Sequence, residues 1–285
     1  MEVRHLLRLY EQGNRDFAGV DLGSENLSGV TLIGANFAGA NLRGVNFSRA
    51  FLLKSDFSGA QMNWANLSFA KMSETKLIET ELTKANFRGA FLVKSKLPRA
   101  KLSGANFSGA NLRGANLWGA NLCGANLHRS NLRDANLSGV NLNWANLSEA
   151  RLSGAKLYGS SLSGVNLSCA FLKELDLGGV DLEGVNLRGA KLQGANLEGA
   201  NLVAADLSDA QLHCVNFRGA DLTGANLAGA SLEQTNLTWT ILKKTNLSNV
   251  NLSESKLNGV DLDEIRRSGA ILPESLSHVF YSSIK

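Results

Sequence analysis

From Phe17 to Leu262 every fifth residue is Leu, Phe or Met, at fifty successive positions filled by 41 Leu, seven Phe and two Met. A strict period of five excludes the ordinary elements. In an α-helix five residues advance about 500°, so successive apolar residues land about 140° apart and never form a stripe. In a continuous strand the odd step sends each one to the opposite face. The period works only if the chain bends once per unit.

The other positions of the unit say how it bends. Two residues before the central position come 27 Ala, 10 Val, 5 Ser and 5 Thr, with Arg15, Glu25 and Leu175 as the departures. One residue before it, 32 of the 50 are Asn or Asp, and two residues after it 25 of the 50 are Gly. The small residue and the central residue are two apart, so both point inward and the residue between them points to solvent. Glycine then takes the third place of a four-residue turn, where type II geometry requires φ > 0. Pro98 stands one place earlier, at the turn position that favors proline. Four such corners close a coil of about 20 residues, and fifty units make about twelve coils, which stack at about 4.8 Å into a rod of about 60 Å.

The unit, as in Ala115-Asn116-Leu117-Trp118-Gly119, resembles the pentapeptide repeat family. That resemblance implies an all-β solenoid, a right-handed quadrilateral parallel β-helix. Residues 15–264 form the repeat domain in this reading, between an N-terminal cap (1–14) and a C-terminal cap (265–285). Residues 2–12 read as an amphipathic helix with Val3, Leu6, Leu7 and Tyr10 on one side, ended by Gly13-Asn14. The run from Leu6 to Phe17 resembles the leader of cyanobacterial members. Pro273 opens a second candidate helix with Leu272, Leu276, Val279 and Phe280. Near it Thr235, Thr240 and Thr245 replace inward Ala, with Trp239 and Ile241 outward, so this end is read as a cap or as a dimer contact. The protein is expected to be a monomer, or a dimer through this end. Residues 61–88 lack glycine, which predicts a different corner geometry or a contact zone.

Composition supports the repeat, because Leu, Ala, Gly and Asn (48, 32, 29 and 29) supply nearly half of 285 residues and Pro occurs twice. The N-terminus lacks a secretory pattern and no apolar run approaches the roughly 18 residues of a membrane span, so a cytoplasmic location is expected. Cys123, Cys169 and Cys214 have no metal-ligand spacing, and neither His128 with Cys169 nor His213 with Cys214 gathers a third ligand. No nucleophile–base pair or phosphate loop appears, since the glycines are periodic corners. An enzyme is not expected, nor a cofactor, metal or small-molecule substrate.

Sorting outward residues by their place in the 20-residue coil assigns them to four faces. The face of Leu27 carries Asn before the central residue in 11 of 12 units, Asp206 being the exception, which predicts a ladder of stacked amides. The face of Leu32 breaks the pattern with Phe51, Lys71, Phe91, Arg151 and Phe171 in its pre-central column. Leu53, Lys54, Val93 and Lys94 lie beside them. Its eight basic and five acidic residues give it a charge of +3. The segments Ala50–Ser55 and Ala90–Ser95 nearly repeat two coils apart, with Lys71 placed between their rings for cation–π contact. On the opposite face, of charge −3, Trp64 and Trp144 replace corner glycines four coils apart.

These features predict a non-enzymatic scaffold that shows a basic, aromatic face to a protein partner, and the resemblance implies a cyanobacterial regulatory pathway such as cell differentiation as its setting. Two alternatives follow from the resemblance and from charge. One branch of the family mimics DNA and binds gyrase, which needs a strongly acidic rod, whereas this chain has a net charge of +4 and a pI near 9.0. Direct nucleic-acid binding by the +3 face would be weak and steeply salt-dependent.

Overall fold

The computed structural model of the chain describes residues 1–262 and 264–273. It contains two compact units, Met1–Ser161 and Leu162–Lys285. In the first, parallel β-bridges join residues twenty apart, from Asp16↔Asn36 through Asn141↔Ser161. In the second the same spacing runs from Asn166↔Asn186 through Asn251↔Ile271. The bridged residue is the one before each central Leu, Phe or Met. Bridges stay isolated because so few residues separate one corner from the next. Each coil therefore hydrogen-bonds to its neighbors at every wall, as where Phe91 N–H donates to Ala70 O (2.9 Å) and Leu92 N–H to Asn111 O (2.7 Å).

Each corner closes by one turn bond, such as Ser95 N–H to Leu92 O at 3.1 Å. The third residue of the turn has positive φ at every such place from Gly19 through Asn249, and this corrects one expectation. Residues 61–88 keep the same corners without glycine: Trp64, Phe69, Glu74, Glu79 and Lys84 hold φ between 55° and 60°. Among the described residues 24 non-glycine side chains sit in this left-handed region. Stacking imposes the geometry, since each corner N–H is already committed to the next coil; Trp64 N–H, for example, donates to Thr83 O at 3.1 Å. The backbone conformation is set by the ladder, and the local preference of the residue yields to it.

The inward side chains fill the coil. Central Leu, Phe and Met side chains from 17 through 252 are buried, and in the first unit Phe rings stack along two opposite walls, Phe87 on Phe107 (4.6 Å between centroids) on one of them. Phe37 lies between Phe17 (5.5 Å between centroids) and Phe57 (5.3 Å), with Phe47 edge-on from the opposite wall at 6.2 Å. Where Ser or Thr replaces inward Ala, the hydroxyl commonly donates to a turn carbonyl: Ser55 to Leu32 O (2.8 Å), Thr240 to Phe217 O (2.8 Å) and Thr245 to Leu222 O (2.8 Å), whereas the buried Ser130 hydroxyl has no such partner. The inward Thr residues near the C-terminal end thus satisfy core backbone oxygens.

At the other end helix α1 (Val3–Glu11) lays Leu6 into the first unit, fully buried, while Val3, Leu7 and Tyr10 are half-buried beside it. It closes with Gly13 N–H to Tyr10 O and Asn14 N–H to Leu9 O, both 3.0 Å, and Gly13 has φ +96°. That paired 5→2 and 6→1 bonding needs a left-handed residue, which glycine supplies. Tyr10 OH then donates to Ile33 O at 3.0 Å, pinning the helix. At the C-terminal end Leu272 and Pro273 are described, and the rest of the expected second helix, including Leu276, Val279 and Phe280, lies outside the described residues.

Candidate functional site

The amide ladder on the Leu27 face is present. Asn46 Nδ2 donates to Asn26 Oδ1 (3.0 Å), Asn66 to Asn46 (3.2 Å) and Asn86 to Asn66 (3.3 Å). Each Oδ1 also takes the backbone N–H two residues on, as Asn46 does from Ser48 at 3.1 Å. With donors and acceptors consumed internally, this face offers a partner little hydrogen-bonding capacity.

The Leu32 face of the first unit is different. The bridges Phe51↔Lys71 and Lys71↔Phe91 set these three residues one above another. Phe51 is 44% exposed and Phe91 39%, both large for a side chain bordered by its own sheet. Lys71 Nζ sits 3.4 Å from the center of the Phe91 ring, a cation–π contact that holds the ammonium on the aromatic face. Leu53 and Val93 are half-buried on the same two rungs, and Lys54 and Lys94 mark the corner beside them. The Lys94 stem lies over Gly114, where the missing side chain leaves room. Lys54, Lys71, Lys94 and Lys96 have no ion-pair partner among the described residues, and Glu74 is the carboxylate between Lys54 and Lys94 at that corner. Elsewhere charges are matched from coil to coil: Lys76–Asp56 (3.0 Å), Lys101–Glu81 (2.6 Å) and Arg129–Glu149 (2.8 Å). The Arg129 guanidinium holds the Glu149 carboxyl below its usual range. On the face of Phe51 and Phe91 exposed apolar surface thus coincides with positive charge that has no ion-pair partner among the described residues.

The other candidate residues lie at other rungs, at another corner or in the second unit. Arg151 lies on the same column as Phe91 but three rungs away, through Asn111 and Asn131. Phe171 belongs to the second unit, where Lys191 Nζ lies 4.3 Å from its ring. Trp64 (62% exposed) and Trp144 (69%) stand at the corner diagonally opposite Lys54, four coils apart, or about 19 Å along the stack. No single partner contact joins either to Phe51.

A second apolar column was not singled out from the sequence. Ile78, Pro98, Trp118 and Tyr158 occupy the place after the central residue on the wall next to Phe51, and Trp118 and Tyr158 are exposed. Arg99 reaches over Trp118 at 5.8 Å and pairs with Glu79 at 2.6 Å. Sorting that position by twenties, as was done for the pre-central one, is the signal that finds it.

His128 Nδ1 lies 2.9 Å from Ser148 Oγ, and Cys214 Sγ donates to Gln234 Oε1 at 3.4 Å. The three cysteines are free thiols. Among the described residues no three His, Cys, Asp or Glu side chains converge as metal ligands, and no helix is long and apolar enough to cross a membrane.

The family pattern described as Pentapeptide repeats matches this chain in eight copies distributed between residues 26 and 266. Among solved structures the chain is similar to HetL, a pentapeptide repeat protein involved in heterocyst differentiation regulation from the cyanobacterium Nostoc sp. strain PCC 7120. The identity is 30% over 96% of this chain and 98% of that one, with a TM-score of 0.27. It is also similar to a pentapeptide repeat protein of the Arabidopsis thaliana thylakoid lumen, at 36% identity over 32% of this chain and 63% of that chain, with a TM-score of 0.31. A third is full-length QnrB1, a plasmid-mediated fluoroquinolone resistance protein, at 16% identity over 88% of this chain and 98% of that chain, with a TM-score of 0.30. No curated protein matches the chain.

Proposed function

The chain belongs to the pentapeptide repeat family, and from that premise we propose that it is a non-enzymatic interaction scaffold whose working surface is the Leu32 face of the first unit. The observation that carries this reading is the overlap of exposed Phe51 and Phe91 with the unpaired ammonium groups of Lys54, Lys71, Lys94 and Lys96. Exposed rings on a rigid frame bind at low entropic cost, because the frame is already ordered and each ring has few rotatable bonds. Surrounding cations speed encounter with an acidic partner and select against basic ones. The setting we propose is cytoplasmic and regulatory, of the kind named for HetL.

The gyrase-binding alternative fits less well, because a DNA mimic must present dense negative charge and this chain carries a net charge of +4. Affinity capture from the native cell tests the scaffold reading, comparing the immobilized full chain with a Phe51→Ala, Phe91→Ala double variant. Both rings lie outside the core, so the variant keeps its fold, which circular dichroism checks. At least one protein should be retained by the parent and lost by the variant. If every captured protein binds both equally, this face is not the working surface.

A further inference from the structure

The two apolar sites on this face are near copies. Phe51, Leu53 and Lys54 on one rung are answered by Phe91, Val93 and Lys94 two rungs away. The interval is therefore about 9.6 Å along the stack. Between them the middle rung presents the half-buried Lys71, whose ammonium rests on the Phe91 ring and, with three N–H donors, can still give a hydrogen bond. A ligand lying along the stack must repeat an apolar group near 9.6 Å and offer a hydrogen-bond acceptor halfway.

The regular peptide conformations differ in how well they meet this. A β-strand repeats its same-side groups every ~6.6 Å. An α-helix returns to one side every ~5.4 Å, and a full heptad spans ~10.5 Å. Its carbonyls are also spent internally, so Lys71 would face a side chain or nothing. A polyproline II segment repeats every three residues at ~9.3 Å, and its backbone carbonyls have no internal partner. Only this last conformation puts an apolar residue on each ring and a free carbonyl over Lys71. Charge completes the fit, because Lys54 and Lys94 flank the track with Glu74 the carboxylate between them.

Resting on the scaffold reading above, we propose that the Phe51–Lys71–Phe91 column binds an acidic, proline-rich segment in polyproline II form. Prolines at i and i+3 pack on the two rings, the carbonyl between them accepts from Lys71, and flanking Asp or Glu residues meet Lys54 and Lys94. The aromatic rings supply the apolar platform and the lysine column supplies direction and charge selection.

Fluorescence anisotropy with the full-length chain and labeled synthetic peptides tests this at 50 and 150 mM NaCl. The probe is a 14-residue peptide with Pro at i, i+3 and i+6 and Asp or Glu between. Its controls are a peptide of the same composition with the three-residue spacing broken, an acidic amphipathic helical peptide, and a single-stranded DNA 12-mer. The spaced peptide should bind at least fivefold more tightly than each control. Phe91→Ala and Lys71→Met should each weaken it at least fivefold. Lys71→Met keeps the side-chain stem and removes donors and charge together; a loss that persists from 50 to 150 mM NaCl reports the short-range contact with the carbonyl, since attraction to the peptide's distant carboxylates is screened. Failure of the spaced peptide to bind, equal binding of the respaced or helical peptide or the DNA, or indifference to Lys71→Met would each overturn the proposal. If such a result stands beside a captured protein that needs Phe51 and Phe91, the face is still an interface and its partner is of another class. Loss of the capture result itself would instead remove the interface.

Discussion

Gly109→Ala isolates the cost of a corner. Gly109 has φ +65°, and a β-carbon added there meets nothing within 4 Å. The substitution therefore adds no clash, and its effect is conformational alone. Holding an L-residue in the left-handed region costs about 1–2 kcal/mol. Restricting the unfolded chain by replacing Gly with Ala returns about 0.4–1 kcal/mol. The net is a destabilization of about 0.5–1 kcal/mol, or about 1–4 °C in Tm. The molecule supplies the mirror experiment, because Ala204 already occupies such a corner at φ 55°. Ala204→Gly should stabilize by the same amount. Differential scanning calorimetry on both variants at matched concentration reads the two signs. A Gly109→Ala variant as stable as the parent, or an Ala204→Gly variant that melts lower, would refute the claim that stacking forces these corners against residue preference.

Phe37→Ala removes a fully buried ring stacked between two others and should cost about 3–5 kcal/mol in urea unfolding of the first unit. Asn46→Ala breaks one rung of the amide ladder and its local bond to Ser48, and should cost about 1–2 kcal/mol in the same assay. Asp56 titrates below its usual value: burial alone would raise it, but hydrogen bonds from Ser58 and the charge of Lys76 outweigh that. A depressed carboxylate stabilizes the fold above its unfolded value near pH ~3.9, and that contribution is lost as the pH falls through the lower folded value. Asp56→Asn should accordingly flatten the acid limb of a Tm-against-pH profile while changing its slope near pH 7 little.

The repeat was readable because each of its five places has one dominant physical demand. Leu82 could be assigned inward, Asn86 to the outer ladder and Gly89 to a corner before any coordinate was known. The corners at Trp64, Phe69 and Glu74 were misread because residue preference was taken to govern a conformation that inter-coil bonds impose. At the surface the sequence placed Phe51, Lys71 and Phe91 in one column, since that needs only division by twenty. It also anticipated the cation–π contact of Lys71, but not that the ammonium settles on Phe91 and not on Phe51, or that neighboring charges such as Lys76 and Asp56 neutralize each other while Lys54 and Lys94 stay unmatched. Those outcomes depend on side-chain reach and rotamer, which periodicity does not encode. The Ile78–Trp118–Tyr158 column was missed for a simpler reason: its members sit at the least constrained place in the unit.

Bridges join residues twenty apart, and this gives insertions and deletions an arithmetic of their own. Removing twenty residues between Phe51 and Phe91 would leave both on one wall, one rung closer. Removing five would leave every leucine inward and every corner intact, yet rotate all that follows by a quarter turn. Phe91 would then point away from Phe51 on a coil whose core and corners still close. Stability feels that angular phase through ladders such as the stacked amides, which keep residues twenty apart in register, while the placing of Phe51 and Phe91 on one wall matters to what the wall touches.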